Sequence, residues 1–200
     1  MRPMHILIAL VILAALSLTG CGTSEKARFY TLSAMQAPVR KAPLDISVKI
    51  AMVNMAGYID RPQIVTRMSP NEVSINEFDR WAEPLNNAIP RLVAENLSLL
   101  LGSPKVATIT SWQGMVAPDY TVNFEVIRFD GNVGGDISLS YMYTILDKQG
   151  KKLFEAKRSV LTEPTGGPGY EAMVAAGSRA IAAMSREIAE ALRSIHAKQT

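Results

Sequence analysis

The stretch YTVNFEVIRFDGNVGGDISLSYMYTI, residues 120–145, decides the fold class. In its first half Tyr120, Val122, Phe124, Val126 and, at the end of the run, Arg128 alternate with Thr121, Asn123, Glu125 and Ile127. In its second half Ile137, Leu139, Tyr141, Tyr143 and Ile145 alternate with Ser138, Ser140, Met142 and Thr144. Successive side chains of a strand point to opposite faces, so a period of two marks a strand with one buried face. Asp130 to Asp136 between the halves is rich in Gly and Asn and reads as a hairpin turn. A calcium loop counted from Asp130 would end on Tyr141, where a bidentate Glu is required. Asp147 to Lys151, with Gly150, is a second turn, and Leu153 to Leu161 completes a three-strand meander.

Working outward, Ile46, Val48, Ile50 and Met52 alternate with smaller or polar residues and predict another half-buried strand. Gly57 to Pro62 turns the chain, and Gln63 to Met68, Val73 to Asn76 and Val106 to Thr110 are short strand candidates. Pro84 suits the first position of a helix. Leu85, Ile89, Leu92, Val93, Asn96, Leu97 and Leu100 then recur at helical spacing until Gly102 and Pro104 stop the run. Pro90 inside it predicts a kink or a restart. After a loop at Glu163 to Gly169, a long helix runs from Tyr170 to Ile195. Val174, Gly177, Ile181, Met184, Ile188, Leu192 and Ile195 form its apolar stripe, and flanking alanines allow close approach to a sheet. Two helices with five to seven strands predict an α/β sandwich on a mixed, largely antiparallel sheet.

The amino terminus follows a different plan. Arg2 is followed by an apolar run from Ile6 to Leu18 broken only by Ser17. That run is too short to span a bilayer and has the layout of a signal-peptide core. Leu18-Thr19-Gly20-Cys21 then resembles the lipobox of bacterial lipoproteins. The resemblance implies cleavage after Gly20 and lipid attachment at Cys21. Several acyl chains together give stable membrane attachment, where one gives only reversible binding. Gly22, rather than Asp, follows the cysteine, which by the sorting rule of diderm bacteria favours the outer membrane, facing the periplasm. The chain therefore divides into a leader at 1–20, a lipidated tether with a first short strand around Phe29 to Leu32 at 21–42, and a single α/β domain at 43–200.

Composition narrows the chemistry. With the leader removed, the basic and acidic residues nearly balance, at about +2, and form no basic stripe, which argues against a nucleic-acid partner. Cys21 is the only cysteine, so the chain has no internal disulfide and no thiolate metal cluster. His5 lies in the leader and His196 close to the carboxyl end, which leaves a serine nucleophile without a histidine base. Gly166-Gly167-Pro168-Gly169 precedes a helix but lacks the Lys-Ser/Thr of a phosphate loop. No acid is singled out as a general acid or base; Glu83 reads equally well as helix-capping. These features predict a protein that is not an enzyme and has no metal or other cofactor.

Two segments are more specific than composition. One is Tyr58-Ile59-Asp60-Arg61-Pro62-Gln63-Ile64-Val65-Thr66-Arg67. The other is Asp79-Arg80-Trp81-Ala82-Glu83-Pro84-Leu85, leading into a helix that carries Ala94-Glu95-Asn96-Leu97. With Phe29-Tyr30-Thr31-Leu32 shortly after a lipobox, the chain resembles the PqiC/YmbA family, the ABC-type transport auxiliary lipoproteins. Tyr58-Ile59 departs mildly from the Tyr-Leu expected there. The resemblance implies a three-layer α/β sandwich akin to anticodon-binding-like domains. It also implies an outer-membrane lipoprotein that works with an MCE-domain bridging protein and its inner-membrane component in phospholipid transport. No catalytic residue carries over.

Arg61, Gln63, Arg67, Arg80, Trp81 and Glu83 are the candidate partner-contact residues, because Arg and Trp are favoured interface anchors. The other reading packs Trp81 into the core and pairs the arginines with Asp60, Asp79 or Glu83. A homo-oligomeric ring is a further arrangement that the sequence leaves open. Two other functions are carried alongside: an envelope-assembly or secretion-accessory lipoprotein, and a periplasmic hydrolase, which the shortage of histidine disfavours.

Overall fold

The computed structural model describes residues 25–36, 41–112 and 116–199. The leader, Cys21, the first tether residues and positions 38–40 of the expected linker lie outside them. The described chain forms β1 (Arg28–Tyr30), β2 (Val48–Met55), β3 (Gln63–Ser69), β4 (Glu72–Trp81), α1 (Leu85–Leu101), β5 (Val106–Thr108), β6 (Tyr120–Gly131), β7 (Asp136–Asp147), β8 (Lys152–Glu155), β9 (Ser159–Pro164) and α2 (Gly169–Ala197). The α/β sandwich on a mixed sheet with two helices is the fold that forms.

The hairpin β6–β7 is its spine. Its antiparallel register runs from Tyr120↔Asp147 to Gly131↔Ile137, with one irregularity between Val126 and Arg128. The other edge of β6 is shared end to end. Its first half pairs in parallel with β2, which carries β5, and its end touches β3 at Thr66↔Gly131. β3 pairs antiparallel with β4, and β4 holds the short parallel strand β1. The longest ladder, β6–β7, is antiparallel.

Val48, Ile50, Tyr120, Val122, Phe124, Ile137, Leu139, Tyr141, Tyr143 and Ile145 are all buried and share one face. Both helices pack there, against the sheet and against each other. The small residues of α2 permit this. A Cβ on Gly177 would stand 2.8 Å from Phe129 Cζ and 3.3 Å from Ile137 Cδ1, so the helix rests directly on the hairpin.

Four expectations are corrected. The meander's third strand, expected as one from Leu153 to Leu161, is two. Glu155 opposes Thr144, but Ser159 opposes Tyr141, so the chain carries one residue too many for a continuous ladder and bulges at 156–158. β4 is far longer than Val73 to Asn76, because its pairing with β1 and Gln63 draws Asp79-Arg80-Trp81 into the sheet. Asp130 belongs to β6 and not to the turn, which is only 132–135. α1 does not restart at Pro90 but continues across it as one helix, in which the missing N–H interrupts one bond of the ladder.

Asn96, read as part of an apolar stripe, bolts three segments together. It is fully buried; its Oδ1 accepts from Met35 N at 2.8 Å and its Nδ2 donates to Ser185 Oγ of α2 at 3.2 Å. Asn96→Leu leaves the Met35 N–H without this acceptor. A loss of about 2 kcal/mol in urea unfolding is expected, and an unchanged midpoint would show that the helices are held by apolar packing alone.

Candidate functional site

Two buried carboxylates organise the segments that the sequence singled out. The first is Asp130. Its neighbours Phe129 and Gly131 face the helices, so Asp130 points to the opposite face of the sheet, where solvent would be expected. It is nevertheless 0% exposed. Tyr58, from the turn after β2, donates to its Oδ2 at 2.5 Å. Arg67 of β3 donates from Nη2 to Oδ2 at 2.7 Å and from Nε to Oδ1 at 3.2 Å. Arg128 Nε reaches Oδ1 at 2.8 Å. The Arg67 guanidinium also lies 5.6 Å from the centre of the Tyr58 ring, within reach of a cation–π attraction.

These contacts set the electrostatics. Burial opposes the Asp130 charge, but the hydrogen bonds from Arg67, Tyr58 and Arg128 outweigh it and hold the carboxyl below its ordinary value. Burial first, and then the hydrogen bond to Asp130, pushes the Tyr58 phenol up to about 12. A carboxylate with a depressed folded pKa stabilises the protein fully above its unfolded value, about 3.9 for Asp, and loses that contribution as pH falls through the folded value. Asp119, whose carboxyl is also lowered, by hydrogen bonds from Ser47 that outweigh its burial, acts with the same sign. Melting temperature is therefore expected to fall below about pH 4, and less steeply in Asp130→Asn than in the wild type. Parallel curves for the two proteins would remove Asp130 from the account.

The second carboxylate is Asp79 on β4, also 0% exposed. Arg28 grips it twice, Nε to Oδ1 at 2.9 Å and Nη2 to Oδ2 at 3.0 Å, and the Tyr30 hydroxyl donates to Oδ1 at 2.8 Å. Both partners sit on β1, so this three-residue strand is clipped to the sheet by a bidentate ion pair as well as by backbone pairing.

Between the two clamps the motifs meet. Trp81 N donates to Pro62 O at 2.7 Å, and the Trp81 ring, only 8% exposed, stacks on Phe129 at 6.1 Å. Glu83 pairs with Arg91 of α1, which also bonds Glu95 at 2.9 Å. Gln63 donates to Glu77 at 3.0 Å and stands opposite Arg80 in register. Arg80 is half-buried and has no ion-pair partner among the described residues, while Arg61 Nε is buried without a hydrogen-bond partner. Asp60, Arg61, Pro62, Trp81, Glu83 and Pro84 line a cleft of about 250 Å³. The structure thus gathers Arg61, Trp81 and Glu83 at one cleft, sets Gln63 beside Arg80 at its margin, and sends Arg67 to Asp130.

Sequence reasoning missed Asp130, Tyr58, Asp79 and Arg28 as a set. By period two Arg128 and Asp130 would face inward with Val126; the irregularity between Val126 and Arg128 turns both outward, and nothing local names Arg67, which is 63 residues away.

The fold with these two clamps defines an α/β sandwich domain whose architecture recurs in solved structures. A Xanthomonas campestris protein shares 19% identity and a TM-score of 0.72, over 86% of this chain and 98% of the other. An uncharacterized protein shares 22% and 0.68, over 84% and 99%. A PelC dodecamer from Paraburkholderia phytofirmans is a remoter likeness, at 12% and 0.43, over 78% and 97%. At such identities the likeness is one of fold. No curated protein matches the chain. The chain belongs to the family of ABC-type transport auxiliary lipoprotein components, which matches residues 30–189.

Proposed function

We propose that this protein is a lipid-anchored, non-enzymatic subunit of an MCE-type system that moves phospholipid between membranes, held at the outer membrane by acyl chains on Cys21 and facing the periplasm. The observation that carries the reading is the family match over 30–189 immediately downstream of a lipobox. The Asp79 clamp supports it. Arg28 lies seven residues after Cys21, so a pull on the anchor arrives at β1, where the ion pair meets it. The MCE-domain bridging protein is the partner that the reading assigns to the motif cleft. Arg61, Gln63 and Arg80 supply contacts at its rim, Trp81 forms its wall, and Arg67 and Glu83 hold the flanking segments in place. A homo-oligomer ring would present several such clefts to one bridge.

Photo-crosslinkers at Gln63 and Arg80, placed one at a time in the lipidated protein in its own envelope, test this. The expected adduct is an MCE-domain protein, and mass spectrometry of the mature amino terminus is expected to show acylated Cys21. Adducts only with secretion or assembly components would move the chain to another envelope machine. An unmodified Cys21 would remove the anchor.

A further inference from the structure

The face of the sheet turned away from the helices concentrates positive charge at one place. Arg67 and Arg128 meet near the end of β6 on Asp130, a carboxylate already saturated by three donors, and Arg158 reaches Ser140 in the adjoining row, with Lys157 next to it in the chain. The register explains the gathering. Arg128 opposes Ser140, and Ser140 opposes Val160, so one outward row crosses β6, β7 and β9. The bulge at 156–158 sets Arg158 over this row, where its Nε donates to Ser140 Oγ at 2.8 Å. A hydroxyl neutralises nothing, and Arg158 has no ion pair among the described residues. Lys157 beside it is exposed. Glu125 and Glu155 lie further along the face, with Glu155 bridged to Lys152, and Asp136 sits at the hairpin tip. Counting Glu125, which opposes Met142, and the Lys152–Glu155 pair with the four cations and Asp130 leaves a surplus of about two positive charges.

Exposed apolar side chains border these cations. Val160 is 61% exposed in the same row, and Met142, on the same face of β7, is 37% exposed. A run of acidic residues alone would answer the charge and leave these side chains in water. A bilayer surface answers both, with phosphates for the guanidinium and ammonium groups and an interfacial layer for the apolar tips. The tether points the same way. Seven residues from Cys21 to Arg28 reach about 25 Å at most when extended, so the domain of an anchored chain lives at high effective concentration of headgroups.

We infer that this outer sheet face, centred on Arg128, Lys157 and Arg158, docks on an anionic phospholipid surface and orients the anchored domain against it. The inference rests on the anchored reading for proximity only; the headgroup contact is a property of the domain itself. The test therefore uses the full mature chain carrying Cys21→Ser, so that no acyl chain contributes. It is sedimented with phosphatidylcholine vesicles with and without phosphatidylglycerol. Binding is expected only with phosphatidylglycerol and should fade as salt is raised. Lys157→Gln with Arg158→Gln, two exposed positions without carboxylate partners, is expected to weaken it about thirty-fold, from the usual strength of two basic residues at an anionic surface. Arg186→Gln with Lys198→Gln removes equal charge from exposed positions, one on α2 and one just past its end, and is expected to change it less than three-fold. Equal losses from both pairs would reduce the effect to net charge and overturn the docking face. Absence of binding to phosphatidylglycerol vesicles would overturn the lipid assignment, in favour of an acidic protein. Neither result bears on acylation of Cys21.

Discussion

Asp130→Ala is expected to lower the stability of the domain by about 3 kcal/mol, with a melting temperature lower by roughly 6–12 °C for a chain of this size. The carboxylate is fully buried and receives hydrogen bonds from three side chains. Removing it leaves Arg67, whose side chain is 19% exposed, facing an empty site beside the Tyr58 hydroxyl. Breaking a buried pair by deleting one partner typically costs about 3–5 kcal/mol, and the lower end applies here because Arg128, at 38% exposure, can turn to water. The double variant Asp130→Ala with Arg67→Met is expected to recover part of the loss, since an apolar replacement removes the orphaned charge. Circular dichroism melts at pH 7 check both. A single-variant loss under about 1 kcal/mol would mean that water already serves these groups.

Gly177→Leu is expected to cost about 2 kcal/mol even though leucine is the better helix former. The first added carbon meets Phe129 Cζ at 2.8 Å, inside any real contact distance, and Ile137 Cδ1 at 3.3 Å. Phe129 cannot retreat freely, because its ring stacks on Trp81. The displacement would therefore pass from α2 through Phe129 to the motif cleft. Combining Gly177→Leu with Phe129→Ala should cost less than the sum of the two single changes by 1 kcal/mol or more, the signature of residues sharing one space. Strict additivity in a urea-unfolding cycle would show that α2 shifts as a body instead.

These two sites mark where sequence reading reached and where it stopped. The alternation from Tyr120 to Val126 and from Ile137 to Ile145 gave the spine hairpin and most of its inward face, because side-chain direction along a strand follows from the backbone itself; it failed at Arg128, which the irregularity after Val126 turns outward. The stripe from Val174 to Ile195 gave the long helix, Gly177 included, for the same kind of reason. Asp130 was misplaced in a turn, since Asp-Gly-Asn is turn chemistry until a neighbouring strand supplies a cation. The Leu153 to Leu161 strand was read as continuous, because a bulge is visible only against the partner it fails to match. Arg67 and Trp81 were left between core and interface; that question depends on groups 63 and 48 positions away.

What the sequence alone determined about this protein is what local chemistry can fix: the strands and helices with a clear period, and the α/β class they add up to. What only the tertiary structure decided is which charges meet. Asp130 with Arg67, Asp79 with Arg28, and Arg158 over Ser140 are pairings between distant segments. Burial made the first two obligatory: an ionised carboxylate in the interior requires a partner, and only the folded chain determines which cation reaches it.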